Sequence, residues 1–284
     1  MQITQSLHQL KIDFSIQLAP GKTIPRFVNV LIIFGKKITL IDTGVKGSEE
    51  KIFNYIQQNG RSYNDIETVI LSHAHPDHIG SAAKIKELTG CKVLSHPKEQ
   101  KWIENIDLQE KERPVPGFKT LVDQSVTIDG FLEDEQLLTF DNNLSASIIH
   151  SPGHAAGLLS FFFIEDKILF TGDAIPLKND IPNYDHFRAL KQSLRYIKND
   201  IPYKILLTSW TPSLYNKAEA TELIVEGENY LNQIDSAVKK AYKSDDNETF
   251  KNCRNTVQEL GLPPFMVSPI VDKAFRSHLS LDEK

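Results

Sequence analysis

The stretch Leu71-Ser72-His73-Ala74-His75-Pro76-Asp77-His78-Ile79-Gly80 lies between a short apolar run and a segment with helical spacing. Four side chains able to ligate a metal fall within six residues, three of them imidazoles, in a chain with nine histidines altogether. One histidine in such a turn caps a helix or packs in a core. Four clustered donors cannot all be absorbed by capping a single helix. Imidazole and carboxylate together hold zinc, iron or manganese, and these ions make a bound water ionise near neutral pH. The stretch therefore predicts a metal site on a loop leaving a strand, and with it an enzyme.

The flanking sequence sets this loop in an α/β frame. Thr68 to Leu71 reads as the buried strand that delivers the cluster, and Ile79 to Leu88 as the following helix, with Gly90 as its stop signal. Upstream, Val28 to Phe34 and Ile38 to Ile41 are β-rich runs joined by Gly35-Lys36-Lys37, which predicts a hairpin. Asp42-Thr43-Gly44 ends its second strand, and Glu49 to Gln58 has helical spacing. Downstream, strands are expected at Lys92–Ser95, Ser125–Ile128, Gln136–Phe140, Ser145–Ile149, Leu158–Ile164, Lys167–Phe170 and Lys204–Thr208, with a helix around Ser193–Ile197. Strands mixed with helices, with functional residues at strand ends, indicate a layered α/β fold of two packed sheets. After Leu214 the pattern becomes helical, with expected helices at Ala218–Lys243, Phe250–Leu260 and Pro269–Leu279. The expected organisation is a main domain over 1–215 and a helical extension over 216–284.

Two further groups carry metal-site chemistry. Ser151-Pro152-Gly153-His154 follows a strand and precedes small residues, so a tight turn projects His154. Thr171-Gly172-Asp173 places a carboxylate at the end of another strand, a position suited to bridging two cations. Each alone reads as a plain turn. In this order and spacing, the set resembles the metallo-β-lactamase superfamily, whose members carry a His-x-His-x-Asp-His motif, a later histidine and then an aspartate.

That resemblance covers roughly residues 25 to 215 and implies an αββα sandwich with metals at one edge of the two sheets. It implies two divalent ions, with zinc the leading candidate and iron or manganese the alternatives. His73, His75 and His154 would hold the first ion, Asp77 and His78 the second, and Asp173 would bridge them. Asp77 would also orient the nucleophile or relay a proton, and Asp42 would support the metal loop from behind. A bridging hydroxide would attack an electrophilic carbonyl or phosphorus. One position departs from the family. Members commonly carry another histidine after the last core strand, where this chain reads Leu206-Leu207-Thr208-Ser209-Trp210-Thr211-Pro212. A weaker second site or a single-ion site follows from that loss, with His186 and His150 as candidate replacements and Trp210 as a candidate pocket wall.

The loop Pro176 to Phe187 follows the bridging aspartate, and Asn183, Tyr184 and His186 are its candidate substrate contacts; Glu112 to Gly117 offers a second rim. The helical C-terminus is similar to the layout of the glyoxalase II (hydroxyacylglutathione hydrolase) branch, where such helices help bind the thiol part of the substrate.

Composition narrows the partners. The chain has 284 residues, 40% apolar and 24% charged, with a net charge of −5. An acidic balance without a basic stripe argues against nucleic acid and anionic membranes. No apolar run nears the ~20 residues that span a bilayer, and no leader pattern is visible at the N-terminus. Two distant cysteines, Cys91 and Cys253, suit a reducing compartment. The expectation is a cytoplasmic hydrolase of a small ester, thioester or lactone, with a small-molecule substrate and a homodimer open as its assembly. Two alternatives stand beside it: a mononuclear iron enzyme like the persulfide dioxygenases of the same superfamily, and a non-catalytic module stabilised by its metals.

Overall fold

The computed structural model describes residues 1–19, 22–140, 143–242 and 250–279. Two six-stranded sheets face one another. The first runs in spatial order β1 (Leu7–Ala19), β2 (Lys22–Phe34), β3 (Ile38–Ile41), β4 (Ile66–Ile70), β5 (Lys92–Ser95) and β6 (Gly130–Phe131). Its first three strands pair antiparallel and the rest parallel. The second holds β7 (Leu137–Thr139), β8 (Ser145–His150), β9 (Leu159–Phe163), β10 (Ile168–Phe170), β11 (Ile205–Leu207) and β12 (Tyr215–Asn216), also in spatial sequence. Only β10 and β11 pair in parallel there.

Side-chain alternation explains the layering. Along β2, Leu31 and Ile33 face the inter-sheet core, with Phe161, Phe163, Phe170 and Leu207 opposite, while Val28, Val30 and Ile32 face outward. A strand apolar on both faces must be covered on both. The outer face of the first sheet is covered by α1 (Ser48–Gln58), α2 (Pro76–Ile79), α3 (Ala82–Thr89), α4 (Gln100–Ile103), α5 (Ile106–Glu112) and α6 (Phe118–Leu121). The second is covered by α7 (Phe187–Asn199) and α8 (Lys217–Ala241). This is the expected αββα sandwich.

Beyond it, α9 (Lys251–Glu259) and α10 (Pro269–Arg276) pack on α8 around Tyr230, Ile234, Val238, Cys253 and Phe275. Asn216 caps α8, accepting from the amides of Ala218 and Glu219 while Glu219 reaches back to the Asn216 amide. The C-terminal end expected for α8, Lys243, lies outside the described residues.

Several elements differ from the sequence expectation. β1 lies ahead of the first expected strand, although Leu10, Ile12, Phe14 and Ile16 alternate with Lys11, Asp13, Ser15 and Gln17 along it. Ser125–Ile128 is not a strand. Its backbone is held by loop contacts, Val126 N to Ile103 O and Ile128 N to a Glu104 carboxylate oxygen, and pairing with β5 begins only at Gly130. The helix expected from Ile79 is broken into α2 and α3. Gly80 sits at the break, where a Cβ would come within 2.3 Å of Leu121 O and 2.4 Å of Lys46 N.

Candidate metal centre

The metal loop begins where β4 ends, and a strained residue beneath it sets its shape. Asp42 follows β3 with φ 65°, a left-handed conformation that a non-glycine residue adopts only when its surroundings fix it. Its carboxylate is fully buried and accepts from the Ser72 amide at 2.7 Å, the Ser72 hydroxyl at 2.8 Å and His78 Nδ1 at 2.8 Å. Ser72 Oγ, whose proton goes to Asp42, lies 3.0 Å from His73 Nδ1 and accepts its proton. His73 therefore turns a bare Nε2 away from the strand, the tautomer that metal ligation uses, and Asp42 fixes the His78 ring through its Nδ1.

The remaining donors arrive from the other sheet. The turn before His154 uses Gly153 at φ 134°, where a Cβ would meet Leu190 N and Cα at 2.3 Å, so only glycine lets this loop lie against α7. Asp173 follows β10. His73, His75, His154 and Asp173 each bring a ligand atom into a group within 4.8 Å of one another. His154 Nε2 lies 2.8 Å from His75 Nδ1 and 3.3 Å from Asp173 Oδ2. On the other side, His78 Nε2 is 3.4 Å from Asp173 Oδ1 and 3.6 Å from Asp77 Oδ2.

Five polar atoms here are buried with no hydrogen-bond partner: Nε2 of His73, His75 and His78, Asp77 Oδ2 and Asp173 Oδ1. Orphaned buried donors and acceptors are costly, about 1–3 kcal/mol each, and a cluster of them marks a missing counterpart. The nitrogen and carboxylate set fits a divalent ion. Burial, and the charge on nearby His78, hold His73 well below its usual pKa; burial and the charge of Arg113 do the same to His75, which favours the neutral rings that can bind a metal. Burial lowers His78 too, but the carboxylates of Asp173, Asp42 and Asp77 outweigh it and raise that ring well above the ordinary imidazole value. Asp173 is pushed up by burial yet held well below the usual carboxylate range by His78 and His154.

A residue with no recognised role in the sequence ties the two metal loops together. Glu99, buried after β5, accepts from the Ala74 amide at 2.9 Å and the Gly157 amide at 2.6 Å. Burial raises its pKa, against the pull of those two amides. From α5, Gln109 Nε2 donates to Ala74 O at 2.5 Å. Asn29 on β2 fixes the opposite wall, its side-chain amide reaching Thr208 O at 3.0 Å and Thr211 O at 2.8 Å.

That wall presents Trp210, whose indole N–H donates to Asp173 Oδ2 at 2.8 Å. No histidine replaces the absent late ligand among the described residues. His150 stacks on His96 at 4.4 Å, its Nε2 against Ala156 O. His186 caps α7, accepting from the Ala189 amide; it is exposed and does not line the pocket, which corrects its expected place over the metals. Asn183 and Tyr184 do line it. Asn183 Oδ1 accepts from Arg113 Nη2 at 2.5 Å, and the Tyr184 hydroxyl meets His278 Nε2 at 2.7 Å. The pocket over Asp77, His154 and Asp173 holds about 190 Å³, walled by Phe14, Trp210 and the loop after Asp173, with Phe265, Met266 and Ile270 from the C-terminal segment.

A histidine–aspartate cluster that fits a metal site, at the edge of a two-sheet αββα sandwich, defines the class. Residues 23–219 match the metallo-beta-lactamase superfamily, and the chain belongs to it. Over 186 residues it is 26% identical to the hydroxyacylglutathione hydrolase GloC of Haemophilus influenzae, covering 64% of this chain and 82% of that protein. Over 147 residues it is 29% identical to the probable metallo-hydrolase MJ0888 of Methanocaldococcus jannaschii, covering 52% of this chain and 66% of that one. The chain thus spans from under two thirds to about four fifths of these relatives. The fold of the metallo-beta-lactamase family protein TTHA1429 from Thermus thermophilus superposes with a TM-score of 0.72 at 18% identity, over 96% of this chain and 93% of the other. No helix among the described residues is long and apolar enough to cross a membrane.

Proposed function

We propose that the chain is a metal-dependent hydrolase of a small ester, thioester or lactone. The observation that carries this reading is the cluster of five buried polar atoms without hydrogen-bond partners on His73, His75, His78, Asp77 and Asp173, the last two of which line an apolar pocket. A divalent ion held by His73, His75, His154 and Asp173, with His78 and Asp77 completing a second position, would acidify a water and polarise a substrate carbonyl. The protein's own groups supply the rest. Asp77 lines the pocket with Oδ2 uncommitted, so it can take a proton from the attacking water and return it to the leaving group. Burial raises its pKa, opposed by the His78 charge, which makes it a better proton acceptor than a solvent-exposed carboxylate. The name of the Haemophilus influenzae relative, a hydroxyacylglutathione hydrolase, favours a thioester within this substrate class.

A second reading follows from Trp210. Its hold on Asp173 Oδ2 occupies one face of the carboxylate that would bridge two ions, which favours a single-ion site and keeps the iron oxygenase alternative in view. Metal content per chain, combined with turnover of an ester and thioester panel, tests both. Thioester turnover that is lost in Asp173→Ala, together with metal loss, is the expected result. One iron per chain with oxygen uptake on a persulfide and no hydrolysis would replace the hydrolase reading. Bound metal with no turnover of any kind would leave a metal-stabilised binding module.

A further inference from the structure

Arg113 is the buried cation of this pocket. Pro114 disfavours helical backbone at the preceding residue, so α5 stops at Glu112 and Arg113 leaves the helical conformation, at φ −140° and ψ 72°. Its side chain enters the pocket wall beside Asp77 and His154. A guanidinium stays charged in any protein environment, and burying it is costly without an anion. Here its hydrogen-bond partner is the neutral Asn183 amide oxygen. No carboxylate lies within ion-pair distance of it among the described residues. Asp185, whose charge acts on it most strongly, is taken by Lys273 Nζ at 2.6 Å. The neighbouring carboxylates Asp77 and Asp173 face the histidine cluster instead, within 3.3–3.9 Å of His73, His78 and His154. Arg26, the other arginine of the pocket, is already paired with both oxygens of Asp180 at 2.6 and 3.1 Å.

The same pocket is lined by the apolar side chains of Phe14, Ile175 and Leu177, and by Phe265, Met266 and Ile270 from the C-terminal segment. We propose that the pocket takes an amphipathic oxyanion, a molecule with an apolar body against these side chains and a carboxylate or similar group held by Arg113. Resting on the hydrolase reading, this makes the substrate an acyl ester or thioester with a long apolar acyl group and an anionic leaving group. The Arg113 fork suits two parallel hydrogen bonds to such an anion, and Asn183 holds the fork in place.

Calorimetric binding of decanesulfonate and of decanol to the metal-loaded protein tests the ligand class without requiring turnover, because a sulfonate is a poor metal ligand. Decanesulfonate is expected to bind about tenfold tighter than decanol. In Arg113→Gln, which keeps a donor for Asn183, the affinity ratio is expected to fall to near one. In Arg113→Lys it is expected to lie between the two. Equal affinities in the wild type, or a ratio unchanged in Arg113→Gln, would overturn the assignment, as would no binding of either probe. A parallel comparison of S-decanoyl-3-mercaptopropionate with its methyl ester separates the two layers. Hydrolysis of both without preference for the anionic one sinks the role of Arg113 and leaves the hydrolase reading standing. A sustained binding ratio with neither thioester cleaved does the reverse.

Discussion

Trp210 donates its indole N–H to Asp173 Oδ2 over 2.8 Å, from the loop where the superfamily resemblance led us to expect a histidine ligand. A donor bound to a ligating carboxylate fixes its orientation, and removing such a partner typically lowers metal affinity about 10- to 100-fold. Trp210→Phe keeps the ring that meets Phe14 edge-on at 6.4 Å and lies under Arg26, but deletes the donor. Its affinity for a divalent ion, read by chelator competition, is expected to drop by about tenfold or more. An unchanged affinity would mean that His78 and His154 alone hold the carboxylate.

Glu99 bridges the loop of His73 and His75 to the loop of His154 through the amides of Ala74 and Gly157. Glu99→Ala would leave two buried amide donors without acceptors, at about 1–3 kcal/mol each. Urea unfolding of the metal-free protein is expected to show a loss of about 2–6 kcal/mol in Glu99→Ala. Glu99→Gln, with one acceptor oxygen left, should fall between it and the wild type. A wild-type midpoint in Glu99→Ala would show that the loops are held elsewhere.

The contrast between Glu99 and His73 shows what could be read in advance. The metal motif is legible because ligand chemistry demands rare residue types at fixed spacing, and the buried strands because both faces are apolar. Pro97-Lys98-Glu99 carries no such signature. Its carboxylate matters only because the fold brings Ala74 and Gly157 to it from distant positions in the chain. Arg113 was within a suspected rim, and its neighbour Pro114 announces the turn, but nothing local says that its charge is buried. The period-2 alternation of β1 was present in the sequence. The false strand at Ser125–Ile128 has a similar alternation through Val126 and Ile128, so the pattern marks burial without guaranteeing a pairing edge.

Asp173, Asp42 and Asp77 more than offset the burial of His78 and favour its protonated form, whereas burial favours the neutral forms of His73 and His75. An ion that takes His78 Nε2 must displace that proton. Titrating a divalent ion into stripped protein near pH 7 is therefore expected to release protons from this site. Calorimetry in buffers of different ionisation enthalpy measures it. Uptake with no proton release would place the ion on His73, His75 and His154 without His78, and so decide between one position and two.

Acid should loosen the C-terminal helices before neutral or mildly alkaline pH affects them. His278 is buried and stacked on Phe187 at 3.8 Å, with Nε2 on the Tyr184 hydroxyl and Nδ1 at 3.2 Å from Asp235. Burial lowers its pKa from 6.5 to about 4, against the opposing pull of Asp235. The folded state thus binds the proton less readily than the unfolded chain does. The stability contributed by the neutral ring is fully present above pH 6.5 and is lost as pH falls toward about 4. At roughly 1.4 kcal/mol per pH unit, that difference is worth about 3 kcal/mol. Thermal midpoints measured from neutral pH down to about pH 4 are expected to fall steeply, and His278→Gln should flatten that limb while lowering the neutral-pH midpoint. Part of the slope should survive in the variant, since burial and the charge of His150 also bring His96 to about 4. An acid limb equally steep in His278→Gln would assign the transition to other groups and leave the link between Tyr184 and the C-terminal helices insensitive to pH.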